Sequence, residues 1–414
     1  MSRRVVVTGM GAVSGFGWGV GPLWEGLRAG RTGIGSFRRF DHSLHRTHVA
    51  AEAGDPPPDL ARRFPGWRRL SLADRFALFA AAEALEQAGL EPPFDEGDVT
   101  AGVCFGSSTG GMLEGERFFA AFFPRRGRRA RLSALISHPV NAPGDAVARH
   151  LRATGPVQTL SSACASGALA LGAALDAVRS GEVDVAVAGG SDSLCQLTYA
   201  GFNALRSVDE VPSRPFRSGR AGMSFGEGAA VLVLEPLERA LARGATPRAE
   251  LVGAGASCDA HHMTAPEPGG SGAAAALEAA LRDAGLPPGA VDFVNAHATG
   301  TPLNDAAEWR ALQRVFGERA GEIPLVATKA LLGHLLGSSG AIEAVVTILC
   351  LQRGELHPAP RCEQGEGVDP ELPVSLVLDR PLPCPEARVA VSTSLAFGGS
   401  NAALVFSRWG GPIA

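Results

Sequence analysis

Lysine and tyrosine are almost absent from this chain of 414 residues. Lys329 is the single lysine among 38 basic residues, and Tyr199 is the single tyrosine. Such a skew indicates that arginine replaces lysine wherever a positive charge alone suffices. Because the lysine ammonium group is compact and the arginine fork is not, Lys329 is a candidate for a role that arginine cannot fill.

The cysteines lack any C-x-x-C pair, although the chain contains seven of them. Without such a pair, neither a zinc site nor a disulfide framework is predicted. The N-terminal segment MSRRVVVTGMGAVS has an apolar run of only three residues, which is too short for a secretory signal and is typical of a first strand. An odd number of cysteines without such a signal predicts a cytoplasmic protein.

Overall composition excludes two further classes of protein. A net charge of −4 and a pI near 6.2 argue against a dedicated nucleic-acid binder. Residues 153–175 carry no formal charge and are long enough to cross a bilayer. They include Gln158, Thr159, Ser161 and several glycines, so we predict a buried core segment and no membrane span.

Apolar strand-like runs alternate with helical stretches that are rich in alanine and leucine. This alternation predicts an α/β fold with mostly buried parallel strands. The pattern restarts near residue 250, so we predict two similar halves, 1–249 and 250–414, packed as one compact unit. Strands are predicted at 5–11, 102–108, 184–192, 230–236, 250–257, 291–297 and 324–329, and helices at 71–89, 164–180, 271–285, 303–316 and 338–352.

Cys164 lies in the segment SSACASG (161–167), just before a long apolar helix of small residues. A thiol at a helix N-terminus is close to the positive end of the helix dipole, which lowers its pKa and favours the thiolate. The small neighbours leave room for a substrate thioester to approach. A structural core residue is the ordinary role of a cysteine, but this context favours a nucleophile.

Two further segments contain groups that can donate or accept protons. His297 lies in NAHATGTPLND (295–305) at the C-terminal end of a predicted strand, where open α/β sheets bind ligands. Lys329 and His334 lie together in ATKALLGHLLGSSGAIE (327–343), with Glu343 downstream. A cysteine, two histidines and a lysine together form a nucleophile and its proton-managing partners.

With these motifs the chain resembles the β-ketoacyl-[acyl-carrier-protein] synthases, which are condensing enzymes of the fatty-acid elongating and type II polyketide kind. The resemblance extends over essentially the whole chain and implies a thiolase fold, in which two similar βαβ-type halves form a five-layered α-β-α-β-α core. The motifs that match in order are VVVTGMGAVS (5–14), SSACASG, RPFRSGRAGMSFGEGA (214–229), SCDAHHMTAPEP (257–268), NAHATGTPLND, TKALLGHLLGSSGA and FGGSNAALVF (397–406).

The resemblance implies a decarboxylating Claisen condensation. Cys164 would take the acyl chain from a carrier protein as a thioester. His297 and His334 would bind the malonyl thioester and stabilise the enolate that forms on decarboxylation. Lys329 would hold the histidine pair, with Glu343 as its ionic partner. The substrates would be carried on the phosphopantetheine of the carrier protein, so no metal and no other cofactor is implied.

The resemblance also implies an oxyanion hole and a substrate channel. The backbone N–H groups of Cys164 and Phe397 would form the oxyanion hole. Phe397 would gate the acyl pocket, with Gly398 and Gly399 as its hinge. The implied substrate-binding residues are Thr109, His138, Thr264, Thr299, Thr301, Gly398 and Asn401.

Several residues depart from the pattern expected of a housekeeping elongation synthase. Arg217 stands where an acid is usual, Met223 where an aromatic residue is usual, and Ala298 where glycine is usual. Thr109 replaces a bulky aliphatic gate residue, and His138 replaces an aromatic residue in the interface segment. A more polar acyl tunnel would suit an unsaturated or oxygenated chain, so specialised metabolism is as well supported as fatty-acid synthesis.

Other functions remain as alternatives. The segment GSSTG (106–110) fits the nucleophile elbow of an α/β-hydrolase with Ser108 as nucleophile, but it would leave the Cys, His and Lys motifs unexplained. A non-catalytic chain-length partner is disfavoured because Cys164 and both histidines are present. Acyl transfer or cyclisation on the same cysteine fits the same residues.

Partners follow from charge and from the resemblance. We expect an acyl carrier protein, which is acidic, to dock on a basic segment, where complementary charge raises the association rate. We also expect a homodimer through segment 100–150, with a heterodimer containing a cysteine-less synthase-like partner as the alternative. The predicted docking residues are Arg125, Arg126, Arg128, Arg129 and Arg131, and a second basic cluster contains Arg62, Arg63, Arg68 and Arg69.

Overall fold

The structure is a computed structural model that describes residues 3–94, 99–123, 130–360 and 367–410. Its strands are β1 Val5–Ser14, β2 Gly17–Trp18, β3 Gly35–Ser36, β4 Val49–Ala51, β5 Ala101–Gly106, β6 Val157–Leu160, β7 Val185–Asp192, β8 Phe225–Gly226, β9 Gly228–Pro236, β10 Ala249–Cys258, β11 Phe293–Asn295, β12 Pro324–Val326, β13 Glu355–Leu356, β14 Ser375–Leu376, β15 Leu382–Pro383, β16 Val389–Leu395 and β17 Ser400–Arg408. Its α-helices are α1 Val20–Arg28, α2 Leu60–Arg63, α3 Leu72–Ala88, α4 Met112–Phe122, α5 Ala142–Leu151, α6 Ser166–Ser180, α7 Gln196–Ala204, α8 Leu237–Ala242, α9 Ser271–Ala284, α10 Pro302–Phe316, α11 Lys329–Leu332 and α12 Ser339–Arg353.

The largest sheet contains the same strand arrangement twice. One part has the order β6-β5-β7-β9-β1, and the other has β12-β11-β16-β17-β10, with β14 added at its edge. Strand β5 is parallel to both of its neighbours, as is β11, whereas β9 and β17 are antiparallel to both of theirs. A short antiparallel seam between β1 and β10 joins the two parts. Two similar halves are therefore confirmed, and the boundary between residues 249 and 250 stays a prediction.

Alternate side chains of strand β9 contact different helices and so define the layers. Val231 and Val233 pack in one core with α3, whereas Leu232 and Leu234 pack in another with α6 and α12. Helices α3 and α5 cover the outer face of the first half, and α9 covers the outer face of the second with α10 against it. Because α6 and α12 pack together between the halves, the layers follow the expected α-β-α-β-α order.

Local sequence explains where the helix α3 begins and ends. Ser71 and Asp74 form a capping box, in which each side chain accepts a hydrogen bond from the other residue's backbone N–H. Gly89 ends the helix with a φ of 64°, a left-handed conformation that glycine adopts without strain. The helix predicted at 71–89 is confirmed for these reasons.

Two predictions about strands are wrong. The large sheet is mixed rather than mostly parallel, because β9, β17, β1 and β10 run antiparallel to their neighbours. The strand predicted at 324–329 ends at Val326, and Lys329 instead begins the short helix α11.

Within the described ranges, no helix is both long enough and apolar enough to cross a membrane.

Candidate active site

Cys164 lies in the turn between strand β6 and helix α6, and its side chain is buried. The preceding residue, Ala163, has a φ of 45°, in the left-handed region that costs energy for a residue with a Cβ atom. Ser166 Oγ and Ser108 Oγ both donate hydrogen bonds to the Ala163 carbonyl, at 2.6 and 3.0 Å. These bonds hold a strained turn that presents the thiol at the N-terminal end of α6.

Burial raises the pKa of the Cys164 thiol to about 11. The charge of Lys329 and the backbone N–H groups of Phe397 and Cys164 lower this pKa, but less than the loss of water raises it. The lowered pKa expected from the helix position is therefore wrong. The two N–H groups nevertheless stabilise a negative charge on the sulfur, as donors of an oxyanion hole at this position would.

The cysteine and the two histidines come together although the chain separates them widely. The Cys164 sulfur and one ring nitrogen from each of His297 and His334 all lie within 4.8 Å of one another. The two imidazole rings are nearly perpendicular, with centroids 5.4 Å apart. His297 follows strand β11 and His334 precedes helix α12, so the second half supplies both rings to the cysteine of the first.

Hydrogen bonds fix the protonation of both rings. Nδ1 of His334 accepts a hydrogen bond of 3.0 Å from the backbone N–H of Leu336. Nδ1 of His297 lies 3.1 Å from the ammonium nitrogen of Lys329, which can only donate. In a neutral ring the proton then belongs to Nε2 in both cases. His334 Nε2 is buried without a hydrogen-bond partner among the described residues, so its N–H is free for a ligand.

Both rings are neutral at physiological pH. Burial lowers the pKa of His297 and of His334 well below the ordinary value, and the positive charge of Lys329 lowers both further. Lys329 is 2% exposed and forms an ion pair with Glu343. Burial raises the pKa of Glu343 to about 7, while the same lysine opposes that rise. The array therefore combines one buried ion pair with two neutral N–H donors.

The spacing of Cys164, His297 and His334 would also fit a tetrahedral metal ion. A metal at Nε2 would require the proton of each ring to move to Nδ1. Nδ1 of His334 faces the Leu336 N–H, and Nδ1 of His297 faces the Lys329 ammonium group. Metal-bound histidines instead donate their second N–H to an acceptor. The surrounding hydrogen bonds suit two donors to a substrate oxygen better than two metal ligands.

A cavity of about 250 Å³ connects these groups to the surface. The hydroxyl oxygens of Thr299 and Thr301 lie 2.9 Å apart in its wall. The Asn401 amide donates to Asp259 at 2.7 Å and therefore holds the loop that follows β10. The predicted residues that line the cavity are Cys164, His297, His334, Phe397, Thr264, Thr299, Thr301 and Asn401.

Phe397 lies in the short turn between strands β16 and β17. Its ring stacks on that of Phe202 in helix α7, with centroids 5.1 Å apart. Gly398 and Gly399 follow with φ angles of 84° and 80°, which only glycine adopts without strain. A side chain at Gly399 would also collide with Asp259, at 2.8 Å from the added Cβ. This turn has the glycines that a hinge would need.

Three of the predicted substrate-binding residues lie outside the wall of this cavity. Thr109 is buried, and its hydroxyl donates to Asp192 at 2.9 Å. His138 is exposed, and its ring packs against Gly115 of helix α4. Gly398 is exposed at the turn beside Phe397. The Ser108 hydroxyl donates to the Ala163 carbonyl rather than to a histidine, which removes the basis for the hydrolase alternative.

Sequence reasoning missed two buried carboxylates. Asp192 accepts hydrogen bonds from the loop after β5 and from the backbone N–H of Gly337, at 2.7 Å, near His334. Glu308 accepts from the backbone N–H groups of His297 and Ala298, at 2.7 and 2.8 Å. Its position three residues after Asp305 on one face of helix α10 was the available signal. Both carboxylates position catalytic loops.

The residues that depart from the family pattern have defined places. Arg217 is buried, and its guanidinium donates to the Pro360 carbonyl. Met223 lines the cavity. Ala298 has a φ of 44°, which glycine would adopt without strain, and Glu308 holds its N–H.

One arginine of the predicted docking segment lies within the described residues. Arg131 is exposed, whereas Arg125, Arg126, Arg128 and Arg129 lie outside the described residues. The second basic cluster is fully described, and all four of its arginines are exposed around helix α2: Arg62, Arg63, Arg68 and Arg69.

Fold and site together define a cysteine-dependent acyltransferase of the condensing type. Residues 2–240 match the family model "Beta-ketoacyl synthase, N-terminal domain", and residues 248–363 match "Beta-ketoacyl synthase, C-terminal domain". The chain belongs to the beta-ketoacyl synthase family, and its fold is the thiolase fold.

Similar proteins cover the whole chain. The "3-oxoacyl-[acyl-carrier-protein] synthase 2" of Coxiella burnetii is 35% identical, over 98% of this chain and 99% of the relative. The ishigamide ketosynthase/chain length factor structure has a TM-score of 0.92 at 34% identity, covering 99% and 100% of the two chains. A type II PKS acyl-carrier protein in complex with its ketosynthase bound to the hexaketide gives a TM-score of 0.87 at 28% identity, with the same coverage.

Proposed function

We propose that this chain is a β-ketoacyl-acyl-carrier-protein synthase that joins a Cys164-bound acyl chain to malonyl carrier protein. One observation carries the proposal: the cysteine sulfur lies within 4.8 Å of ring nitrogens of two histidines. Both rings direct a neutral Nε2–H into the same buried site. A nucleophile beside two donors suits a thioester whose carbonyl oxygen becomes negative during reaction.

In the first half-reaction Cys164 takes up the acyl chain. Its sulfur attacks the acyl thioester carbonyl, the pantetheine C–S bond breaks, and the pantetheine thiol leaves with the cysteine proton. The backbone N–H groups of Cys164 and Phe397 stabilise the tetrahedral oxyanion. Since the pKa of Cys164 is about 11, the thiol must lose its proton during this step.

In the second half-reaction the extender unit loses carbon dioxide. His297 and His334 donate from Nε2 to the malonyl thioester oxygen, and the bond between the carboxylate and the α-carbon breaks. The electron pair becomes an enolate, whose carbon attacks the Cys164 thioester carbonyl. A carbon–carbon bond forms and the cysteine leaves as thiolate. Lys329 keeps the His297 proton on Nε2 throughout.

The remaining site residues guide the substrate. Thr264, Thr299 and Thr301 line the channel for the pantetheine arm, and Phe397 controls entry of the acyl chain. No metal or further cofactor takes part, because the chain itself supplies nucleophile and donors; activity should therefore survive exhaustive dialysis against a chelator. The described cysteines are all free thiols, which suits a cytoplasmic location.

The carrier protein docks on a basic surface of the chain. Candidates are the exposed Arg131, the exposed cluster around helix α2, and Arg125, Arg126, Arg128 and Arg129, which lie outside the described residues. Charge reversal at Arg131 and Arg68 should raise KM for carrier-bound substrate but spare a pantetheine thioester. Arg282, in the outer helix α9, offers a matched control for a single charge reversal. Equal effects on both substrates would contradict docking.

We also propose a dimer through the apolar face beside helix α4. Phe123, Leu132 and Ile136 are 72%, 74% and 72% exposed there, and β6 is an edge strand of the large sheet among the described residues. Such a face and edge are protected by a second chain in soluble proteins. Light scattering of the purified chain should give a dimer; a monomer would point to a heterodimer with a synthase-like partner.

The direct test supplies acyl and malonyl carrier proteins and analyses the products. We expect carbon dioxide and a β-ketoacyl thioester longer by two carbons. The β-ketoacyl product should be lost in Cys164→Ala and still form in Ser108→Ala, at a lower rate because Ser108 helps to hold the turn before Cys164. Acyl transfer without carbon dioxide, or a cyclised product, would favour the alternative reactions on the same cysteine. A panel of saturated, unsaturated and oxygenated chains would separate fatty-acid from specialised substrates. A tunnel that accepts only straight saturated chains would contradict the polar-tunnel hypothesis.

A further inference from the structure

A chain of buried polar side chains lies behind the Lys329–Glu343 ion pair. Thr328 directly precedes Lys329, and Asn295 lies two residues before His297 at the end of strand β11. Thr328 Oγ1 donates to Asn295 Oδ1 at 2.9 Å. His357 Nε2 lies 3.1 Å from the same threonine hydroxyl. All three side chains are at most 1% exposed.

The Asn295 amide group continues the chain into helix α12. Its Nδ2 donates to the backbone carbonyl of Glu343 at 3.0 Å and to Thr347 Oγ1 at 3.2 Å. The Thr347 hydroxyl donates to the Glu343 carbonyl at 2.7 Å, so its oxygen can accept from Asn295. The Asn295 oxygen then depends on the Thr328 hydroxyl for its donor. In every hydrogen bond of this asparagine the donor and the acceptor are therefore fixed.

These bonds join the three segments that carry the ionic array. Asn295 belongs to the strand that leads to His297, Thr328 to the turn that begins at Lys329, and Glu343 to helix α12. We infer that Asn295 and Thr328, with His357 as the outer partner, are positioning residues that hold the Lys329 ammonium group between His297 and Glu343. Buried polar groups are costly to leave without partners, so this network of hydrogen bonds has one stable arrangement.

This inference rests on the proposed function and predicts different effects on its two half-reactions. Acylation uses Cys164 and the backbone N–H groups, which this chain of side chains does not contact. Decarboxylation uses His297, whose donor tautomer depends on Lys329 at 3.1 Å. Displacing the lysine by a fraction of an ångström should slow decarboxylation by about 10- to 100-fold and change acylation by no more than about 2-fold.

The experiment follows both half-reactions with a pantetheine acyl thioester and a pantetheine malonyl thioester. Intact mass gives the rate of acyl loading on Cys164, and trapped carbon dioxide gives the rate of decarboxylation in a single turnover. The test variant is Thr328→Val, which keeps the shape and removes the hydroxyl. Thr328→Ser restores the hydroxyl. Thr8→Val is the matched control, since Thr8 is equally buried and donates to Glu235 far from the site.

We expect Thr328→Val to decarboxylate slowly and load normally, with Thr328→Ser and Thr8→Val close to wild type. The acid limb of the decarboxylation profile should also move to higher pH, because a displaced Lys329 lowers the pKa of His297 less. Equal slowing of both steps, or no slowing beyond Thr8→Val, would overturn the inference. If Thr328→Val fails to fold, Thr347→Val should give the same selective loss more weakly, and its absence would overturn the inference. A wild type that loads but never releases carbon dioxide would instead refute the proposed function.

Discussion

The ammonium nitrogen of Lys329 lies 3.1 Å from Nδ1 of His297, and the same group pairs with the Glu343 carboxylate. Because a lysine can only donate, this contact assigns the lone pair of the ring to Nδ1 and its proton to Nε2. The single lysine of the chain is thus buried where a compact charge with several donors fits. A planar guanidinium group is larger and would have to be enclosed by protein, since this site is only 2% exposed.

Substitution of Lys329 should slow decarboxylation more than it slows acyl loading. We expect Lys329→Met and Lys329→Arg to slow carbon dioxide release by about 10²-fold or more, since the donor geometry toward the thioester oxygen is lost. Acyl loading should slow less, because Lys329 affects Cys164 only by lowering the pKa of its thiol. Single-turnover rates for both steps check this. An arginine variant with wild-type decarboxylation would contradict a role specific to lysine.

Alkylation of Cys164 should report its raised pKa. With a pKa of about 11, the thiolate fraction increases about tenfold for each pH unit between pH 7 and 9, and the rate of reaction with iodoacetamide should increase in parallel. Peptide mass analysis would confirm the modified residue. A rate that is already constant above pH 7 would mean that the helix N-terminus and Lys329 outweigh burial.

Asp192→Asn should impair both half-reactions. The carboxylate accepts from the backbone N–H of Ser108, whose hydroxyl donates to the Ala163 carbonyl beside Cys164. It also accepts from the backbone N–H of Gly337, near His334. An asparagine would direct an N–H group toward backbone donors, which should cost about 2 kcal/mol of unfolding free energy and slow loading as well as decarboxylation. Asp55→Asn, at an exposed position, is the control for denaturant unfolding. Unchanged loading in Asp192→Asn would argue against its positioning role.

His357 should make the protein less stable in mild acid. Burial lowers the pKa of His357 to about 4, whereas the unfolded chain titrates near its ordinary value of 6.5. As the pH falls below 6.5, the unfolded state gains a proton that the folded state does not, so stability is lost. Relative to His357→Gln, wild type should lose about 2 kcal/mol between pH 7 and pH 5. Parallel urea titrations that give the same pH dependence would contradict a neutral buried ring.

The sequence predicts the groups that lie inside compact local motifs. Cys164 precedes its helix of small residues, and Lys329 and His334 share one segment. Asp192 escapes such reasoning because its partner Gly337 is 145 residues away and only folding brings them together. The direction of β9 also escapes it, since a fully buried strand has the same apolar run whether its neighbours are parallel or antiparallel. The pKa of Cys164 depends on burial by distant segments, which a helix boundary alone does not reveal.

Intact-protein mass spectrometry tests the central claim most directly. Wild type and Cys164→Ala would be incubated with a panel of acyl carrier proteins, and malonyl carrier protein would then be added. We predict an acyl adduct that requires Cys164 and disappears on addition of the malonyl substrate, with a released product longer by one two-carbon unit. An adduct that survives in Cys164→Ala, or one that malonyl carrier protein leaves untouched, would contradict the account.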